Sequence, residues 1–138
     1  MVEQEAVVNP ISAEEKVKRY AESKVALEAY LAEAERTEEE KQEQISQILS
    51  DKFPEFSFVG FYDAKAGKNK VYIGEFVSSA GIFPCGEIVI GKGQCGLCAE
   101  TKKGHITYDT KQLDNYIACD IYTRSEIVLP CFEKGSSR

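Results

Sequence analysis

Pro54 divides the chain into two kinds of sequence. Upstream, Ser12-Ala-Glu-Glu15 and Thr37-Glu-Glu-Glu40 each set a hydroxyl three residues before a glutamate. In that pattern two side chains satisfy the orphan amides of a helix start. The spacing predicts one helix over 13–35 and a second over 38–51. In the first, Val17, Tyr20, Leu27 and Leu31 fall on one face as a thin apolar stripe, suited to packing edge-on against a domain or against a second copy of the chain. In the second, Ile45, Ile48 and Leu49 are expected to face inward. Pro54 stops the helical pattern, because the residue before a proline is pushed out of the helical region.

Downstream the periodicity changes to that of strands. Residues 56–62 and 70–77 are rich in Phe, Tyr, Val and Ile and flank a Lys65-Ala-Gly-Lys-Asn69 turn, which predicts a hairpin. After a loop over 78–84, residues 86–90 form a third strand. Gly91-Lys-Gly93 breaks it and leads into a short helix over 95–101, ended by Lys103-Gly104. Strands are expected over 105–108 and 125–132, with a loop over 110–119 between them. The fold class is therefore α+β, with a mainly antiparallel β-sheet, two N-terminal helices and a short helix after the third strand. At 138 residues the chain is expected to form a single domain. Its parts are a frayed N-terminus over 1–11, a helical arm over 12–53, a sheet core over 56–132 and a polar tail over 133–138.

Charge and hydropathy exclude several classes. Residues 1–56 hold 14 acidic and 7 basic side chains, against 9 and 10 in the remainder. No basic face is available for a phosphate backbone, so nucleic acid is not the expected partner. No run approaches about 18 apolar residues, so no membrane-spanning helix is expected. The opening MVEQEAVVNP lacks a basic head followed by an apolar stretch, so the expected setting is cytoplasmic.

All five cysteines and the single histidine, His105, lie between Cys85 and Cys131. A reducing compartment disfavours a static disulfide framework, and an odd count leaves one thiol over. Redox catalysis, metal binding and plain packing remain open. Cys95-Gly-Leu-Cys98 is a C-x-x-C that could supply half a zinc site or a dithiol couple. For zinc, the other ligands would come from Cys85, His105, Cys119 and Cys131 at irregular spacings, so no metal is expected. His105 reads as a strand histidine with a local partner. Cys119 stands beside Asp120 in a polar loop, five residues before Arg124. That is the setting of an accessible thiol that cycles through sulfenic acid and disulfide, with buried packing as the competing reading. Glu126 opens the last strand, where it could hold an ammonium group, donate a proton or pair with Arg124 at the surface. Phe58, Phe61 and Tyr62 read as core, with one lining a pocket.

Four segments together carry a resemblance: Val59-Gly-Phe-Tyr62, Ile90-Gly-Lys-Gly-Gln-Cys-Gly96, Ile117-Ala-Cys-Asp120 and Arg124-Ser-Glu-Ile-Val-Leu-Pro130. From residue 13 to residue 130 the chain resembles the free methionine-(R)-sulfoxide reductases, which are single GAF-domain enzymes. The resemblance implies a GAF-like fold and Cys119 as the nucleophile that attacks the sulfoxide sulfur. It implies Cys85 as the main resolving thiol and Cys95 as an auxiliary one. Glu126 matches a carboxylate that binds the substrate and protonates the departing oxygen, with Asp120 as a further acidic group. Tyr62 matches a pocket aromatic, and Phe58 stands where the family usually has tryptophan. Cys98 and Cys131 match no catalytic position.

The implied substrate is free methionine sulfoxide and the implied reductant thioredoxin-like. No cofactor is implied, and the helical arm is implied to pair in a homodimer. Family members continue beyond the last strand into a further strand with two aspartates and a terminal helix, which have no counterpart before Arg138. A partner chain completing the sheet is one consequence. A second reading follows from the same difference: a catalytically impaired GAF-like domain serving as a structural or interaction subunit.

Overall fold

The computed structural model describes residues 12–33, 35–78, 83–107 and 125–132. Two helices come first, α1 (Ala13–Leu31) and α2 (Glu38–Lys52). The strands β1 (Phe58–Ala64), β2 (Lys70–Ser78) and β3 (Glu87–Val89) follow, then α3 (Gly93–Thr101), β4 (His105–Thr107) and β5 (Glu126–Val128). The α+β class and the element order match those read from the sequence. Strands β1, β2 and β3 form a sheet in that order, and β4 and β5 form a separate two-stranded sheet. A five-residue connection joins β1 and β2, so these neighbours are antiparallel, as are the β2–β3 and β4–β5 pairs. No helix among the described residues is long and apolar enough to cross a membrane. The frayed segment 1–11, the 110–119 loop and the 133–138 tail lie outside the described residues.

The chain divides into two compact units. One runs to Phe61 and takes in the stretch from Gly74, and the other holds Tyr62–Ile73 and the described residues from Phe83 onward. Strands β1 and β2 run through both.

In the helical unit, α1 packs along α2. The Thr37 box forms fully: the Glu40 amide donates to Thr37 Oγ1 at 3.1 Å and the Thr37 amide to Glu40 Oε1 at 2.9 Å. At Ser12 only half the box forms. The Glu15 amide donates to Ser12 Oγ at 3.0 Å, but the Glu15 carboxylate accepts from Arg19 instead. Arg19 also bonds both oxygens of Glu55 at 2.8 Å, tying α1 to the turn that follows α2.

Helix α1 stops at Leu31, four residues before the expected end. Arg36 folds back, donates to the Tyr30 carbonyl at 2.8 Å and lies 3.9 Å from the centre of the Tyr30 ring. That guanidinium takes up a carbonyl that a longer helix would have used itself. Of the expected apolar stripe, Val17, Tyr20 and Leu31 are exposed and Leu27 is half-buried, and the buried residue of α1 is Ser23. On α2 the fully buried side chain is Ser46, flanked by the half-buried Ile45, Ile48 and Leu49. Small residues let helix backbones approach closely, yet the Ser23 and Ser46 hydroxyls are both buried without a hydrogen-bond partner. Such a group costs about 1–3 kcal/mol. Phe53, buried at the end of α2, stacks on Phe56 at 4.8 Å and meets Tyr20 at 5.6 Å.

In the other unit, the antiparallel register sets buried Val71 opposite buried Ile88. The Ile90 amide bonds the Asn69 carbonyl and the Ile73 amide the Gly86 carbonyl, so the pairing extends beyond β3 at both ends. Helix α3 packs against β3, β4 and β5. It begins at Gly93, two residues earlier than expected, with φ of 62°. It ends on Lys102, which itself takes the left-handed conformation in place of the expected Lys103-Gly104 stop and donates its amide to Cys98. Gly96 is the point of closest approach. A Cβ there would lie 2.5 Å from the Val89 carbonyl oxygen and 3.1 Å from the Gly91 nitrogen, and both of those are backbone. The last strand spans only 126–128, shorter than the expected 125–132.

Two substitutions test this account. Gly96→Ala should lower stability by about 1–3 kcal/mol despite alanine's higher helix propensity, read as a fall in thermal midpoint. Ser46→Ala should raise stability by about 1 kcal/mol, because it removes a buried unpaired hydroxyl at nearly constant volume. A lower denaturation midpoint for Ser46→Ala would contradict the packing described.

Candidate active site

Four residues singled out in the sequence come together in the sheet-and-α3 unit: Tyr62, Cys85, Cys95 and Glu126. Strand β1 delivers Tyr62, whose hydroxyl donates to the Cys85 carbonyl oxygen at 2.7 Å. Cys85 is disulfide-bonded, whereas Cys95, Cys98 and Cys131 carry free thiols. Cys95 is the third residue of α3 and is half-buried. Glu126 opens β5, also half-buried, with buried Thr107 as its partner in the antiparallel register.

Burial and mutual charge control the protons here. Burial pushes the Cys95 thiol up to about 12, with the Glu126 and then the Cys98 charge adding to it. Burial likewise pushes Tyr62 up to about 12, followed by the charges of Cys95 and Glu126. Burial alone raises Glu126 above the usual carboxylate range. A low-dielectric setting disfavours every charged form at once. The result is a group of neutral acids: a phenol fixed on the backbone of Cys85, a protonated thiol, and a carboxyl that keeps its proton to higher pH than an exposed glutamate. A carboxylic acid held in this way can hydrogen-bond or protonate an oxygen that is leaving another atom. Cys95 is not a thiolate at neutral pH, so it is unsuited to the first nucleophilic attack.

The other expectations fall elsewhere. Phe58 belongs to the helical unit, where it stacks against Phe76 at 5.6 Å. Cys119, Asp120 and Arg124 lie outside the described residues. His105 has the local partner expected of a strand histidine, with its Nε2 2.9 Å from the Thr101 hydroxyl. Cys98 is buried in the core and Cys131 is exposed. Among the described residues no group of three His, Cys, Asp or Glu could hold a metal ion. The residue that sequence reading passed over is Thr107. Its alternation with Ile106 marks it as inward, but its place opposite Glu126 depends on a pairing across the long 108–125 connection.

No family model matches the sequence. The chain is 39% identical over 77 residues to the free methionine-R-sulfoxide reductase of Saccharomyces cerevisiae, covering 55% of this chain and 41% of that protein. It superimposes on the reduced form of fRMsr of Staphylococcus aureus with a TM-score of 0.69 at 32% identity, covering 83% of this chain and 70% of that one. The chain belongs to the free methionine-R-sulfoxide reductase family. A solved GAF domain matches with a TM-score of 0.76 at 26% identity, over 88% of this chain and 69% of that one, so the GAF-like fold read from the sequence is the fold observed. The chain spans about half the length of the curated relatives it matches.

The raised Glu126 carboxyl gives this family member a pH signature. Its folded-state pKa lies above the unfolded value of about 4.3. The folded state therefore holds that proton more tightly, and stability falls as pH rises from about 4.3 through the folded pKa. Glu126→Gln should remove this slope. Calorimetry across that window should show the unmutated chain losing thermal midpoint relative to Glu126→Gln, and parallel profiles would contradict the burial assigned to Glu126.

Proposed function

We propose that this chain reduces the R epimer of free methionine sulfoxide to methionine by thiol chemistry. Cys119 acts as nucleophile, Glu126 as the acid, and Cys85 as the main resolving thiol. The observation that carries the reading is that Cys85, held by Tyr62, is disulfide-bonded while Cys95, Cys98 and Cys131 are free. The raised Glu126 carboxyl, whose charge is felt by Tyr62 and Cys95, supplies the proton the reaction needs.

A sulfoxide sulfur becomes electrophilic once its oxygen is hydrogen-bonded or protonated. The Cys119 thiolate attacks that sulfur while Glu126 protonates the oxygen. Oxygen passes to Cys119 as sulfenic acid, and methionine leaves. The Cys85 thiol then displaces water from the sulfenic acid to form the disulfide. A thioredoxin-like dithiol reduces that disulfide by exchange, in a reducing compartment such as the cytoplasm. Cys95 serves as an auxiliary resolver, consistent with a thiol held protonated at rest. Tyr62 provides aromatic wall to the pocket, and Asp120 adds a second carboxylate for the substrate ammonium. The exposed Val17, Tyr20 and Leu31 on α1 fit a homodimer built through the helical arm.

A second reading has its own observation. Ile106 and Ile127, directly paired across β4 and β5, are 57% and 54% exposed, and Leu129 is 65% exposed. That bare apolar face suits a GAF-like domain that docks onto a partner chain as a structural subunit.

The assay that separates them uses purified protein with dithiothreitol and the two epimers of free methionine sulfoxide. The R epimer should be consumed and the S epimer left. Cys119→Ser should abolish the reaction, and Cys85→Ser should slow regeneration while sparing the first turnover. Glu126→Gln should lower turnover by about 10²-fold or more. No turnover of the R epimer by the unmutated chain would leave the structural reading standing in its place.

A further inference from the structure

Two cysteines have no part in the chemistry above, and the fold brings them to the same corner. Cys98 is buried on α3. One turn later the helix closes where the Lys102 amide donates to the Cys98 carbonyl at 2.8 Å. The β4–β5 register runs Thr107 to Glu126, Ile106 to Ile127 and His105 to Val128. Its next step sets Gly104 beside Leu129, and a Cβ on Gly104 would meet Leu129 Cδ2 at 2.8 Å. Carried on in the same sense, the alignment sets Cys131 beside Lys102, at the end of the turn that Cys98 begins. Helix α3 packs against β5, so the two segments bearing these cysteines are neighbours. Both thiols are free. Cys131 is exposed, where a small reagent can reach it, and Cys98 is enclosed behind it.

We propose that Cys98 and Cys131 form a second dithiol site, separate from Cys85 and Cys119, that closes to a disulfide by exchange with a small disulfide of the glutathione class. The Cys131 thiolate attacks one sulfur of the small disulfide, which forms a mixed disulfide and releases one small thiol. The Cys98 thiolate then attacks the Cys131 sulfur and releases the second. Two protein thiols are oxidised and one small disulfide is reduced to two thiols, so atoms and electrons balance. Exposure sets the order, because the enclosed Cys98 meets only the sulfur already attached to Cys131. Burial raises the Cys98 thiol, with the Cys131 charge adding to it, and burial raises Cys131 also. Exchange therefore speeds up as pH rises. The bond fastens the last turn of α3 to the chain that follows β5, which fixes the helix carrying Cys95 against the strand carrying Glu126. The site needs no turnover of any substrate.

The test is disulfide mapping. Fully reduced protein is treated with oxidised glutathione at mildly alkaline pH, residual thiols are alkylated, and unreduced peptides are identified by mass. The expected product is a cross-link between the peptides bearing Cys98 and Cys131. It should form in the unmutated chain and equally in the Cys85→Ser/Cys119→Ser double variant. Cys98→Ala should instead keep glutathione on Cys131. Persistent glutathione on Cys131 in the unmutated chain would overturn the proposal. So would a cross-link from Cys98 to Cys95, or dependence of the cross-link on Cys85 and Cys119. Reductase activity, or its absence, leaves this result unchanged.

Discussion

The sheet-and-α3 unit depends on one close approach, the backbone of Gly96 against the end of β3. Nothing but hydrogen fits between its Cα and the Val89 carbonyl, and the Gly91 amide closes the contact by donating to the Gly96 carbonyl at 2.9 Å. Because α3 can lie this near, its side chains reach the inner surface that Val71 and Ile88 begin. Cys95 and Cys98, one helical turn apart, are carried there with it. The high proton affinity of Cys95 follows from this placement, since a helix set farther out would leave that thiol in water.

Costs of different kinds coexist in the two units. Around Glu126 the cost is electrostatic: a carboxyl withdrawn from water resists ionisation, and the same withdrawal raises Tyr62 and Cys95. Groups whose proton affinities are shifted by a shared desolvated setting mark places where proton transfer is useful. In the helical unit the cost is two hydroxyls, Ser23 and Ser46, closed off from any partner. These have no titration and no reactivity, and they follow from fitting two helices together. The first kind of cost shifts proton affinities and the second only closes off hydroxyls.

Local patterns were legible in the sequence. The Thr37 box, the stop at Pro54, the hairpin about residues 65–69 and the helix at the Gly91-Lys-Gly93 break each depend on a few neighbouring residues, and each appears within two residues of where it was read. The errors arose where distant residues decide. Arg36 shortened α1 by reaching Tyr30, a contact invisible to helix periodicity. The stripe on α1 was read only as a face, and the exposure of Val17, Tyr20 and Leu31 leaves its partner undecided, because apolar spacing gives a face but not its direction. The residues buried on α1 and α2 are the serines Ser23 and Ser46. Within the candidate site, Cys95, Tyr62 and Glu126 were legible through their family-like segments, and Cys85 only through the cysteine roles that the resemblance implies. Thr107 was not, because strand register across 18 intervening residues cannot be read from either strand alone. Phe58, assigned to a pocket from its place in a motif, has Phe76 as its observed neighbour.

The hydrogen bond from Tyr62 to Cys85 falls on the main-chain carbonyl and not on the sulfur. Making or breaking a bond at that sulfur therefore leaves the tether intact. In the proposed cycle the backbone of Cys85 would keep the same anchor before and after electron transfer. Under that cycle the change of bonding falls on the Cys85 side chain, while the carbonyl that Tyr62 holds takes no part in it.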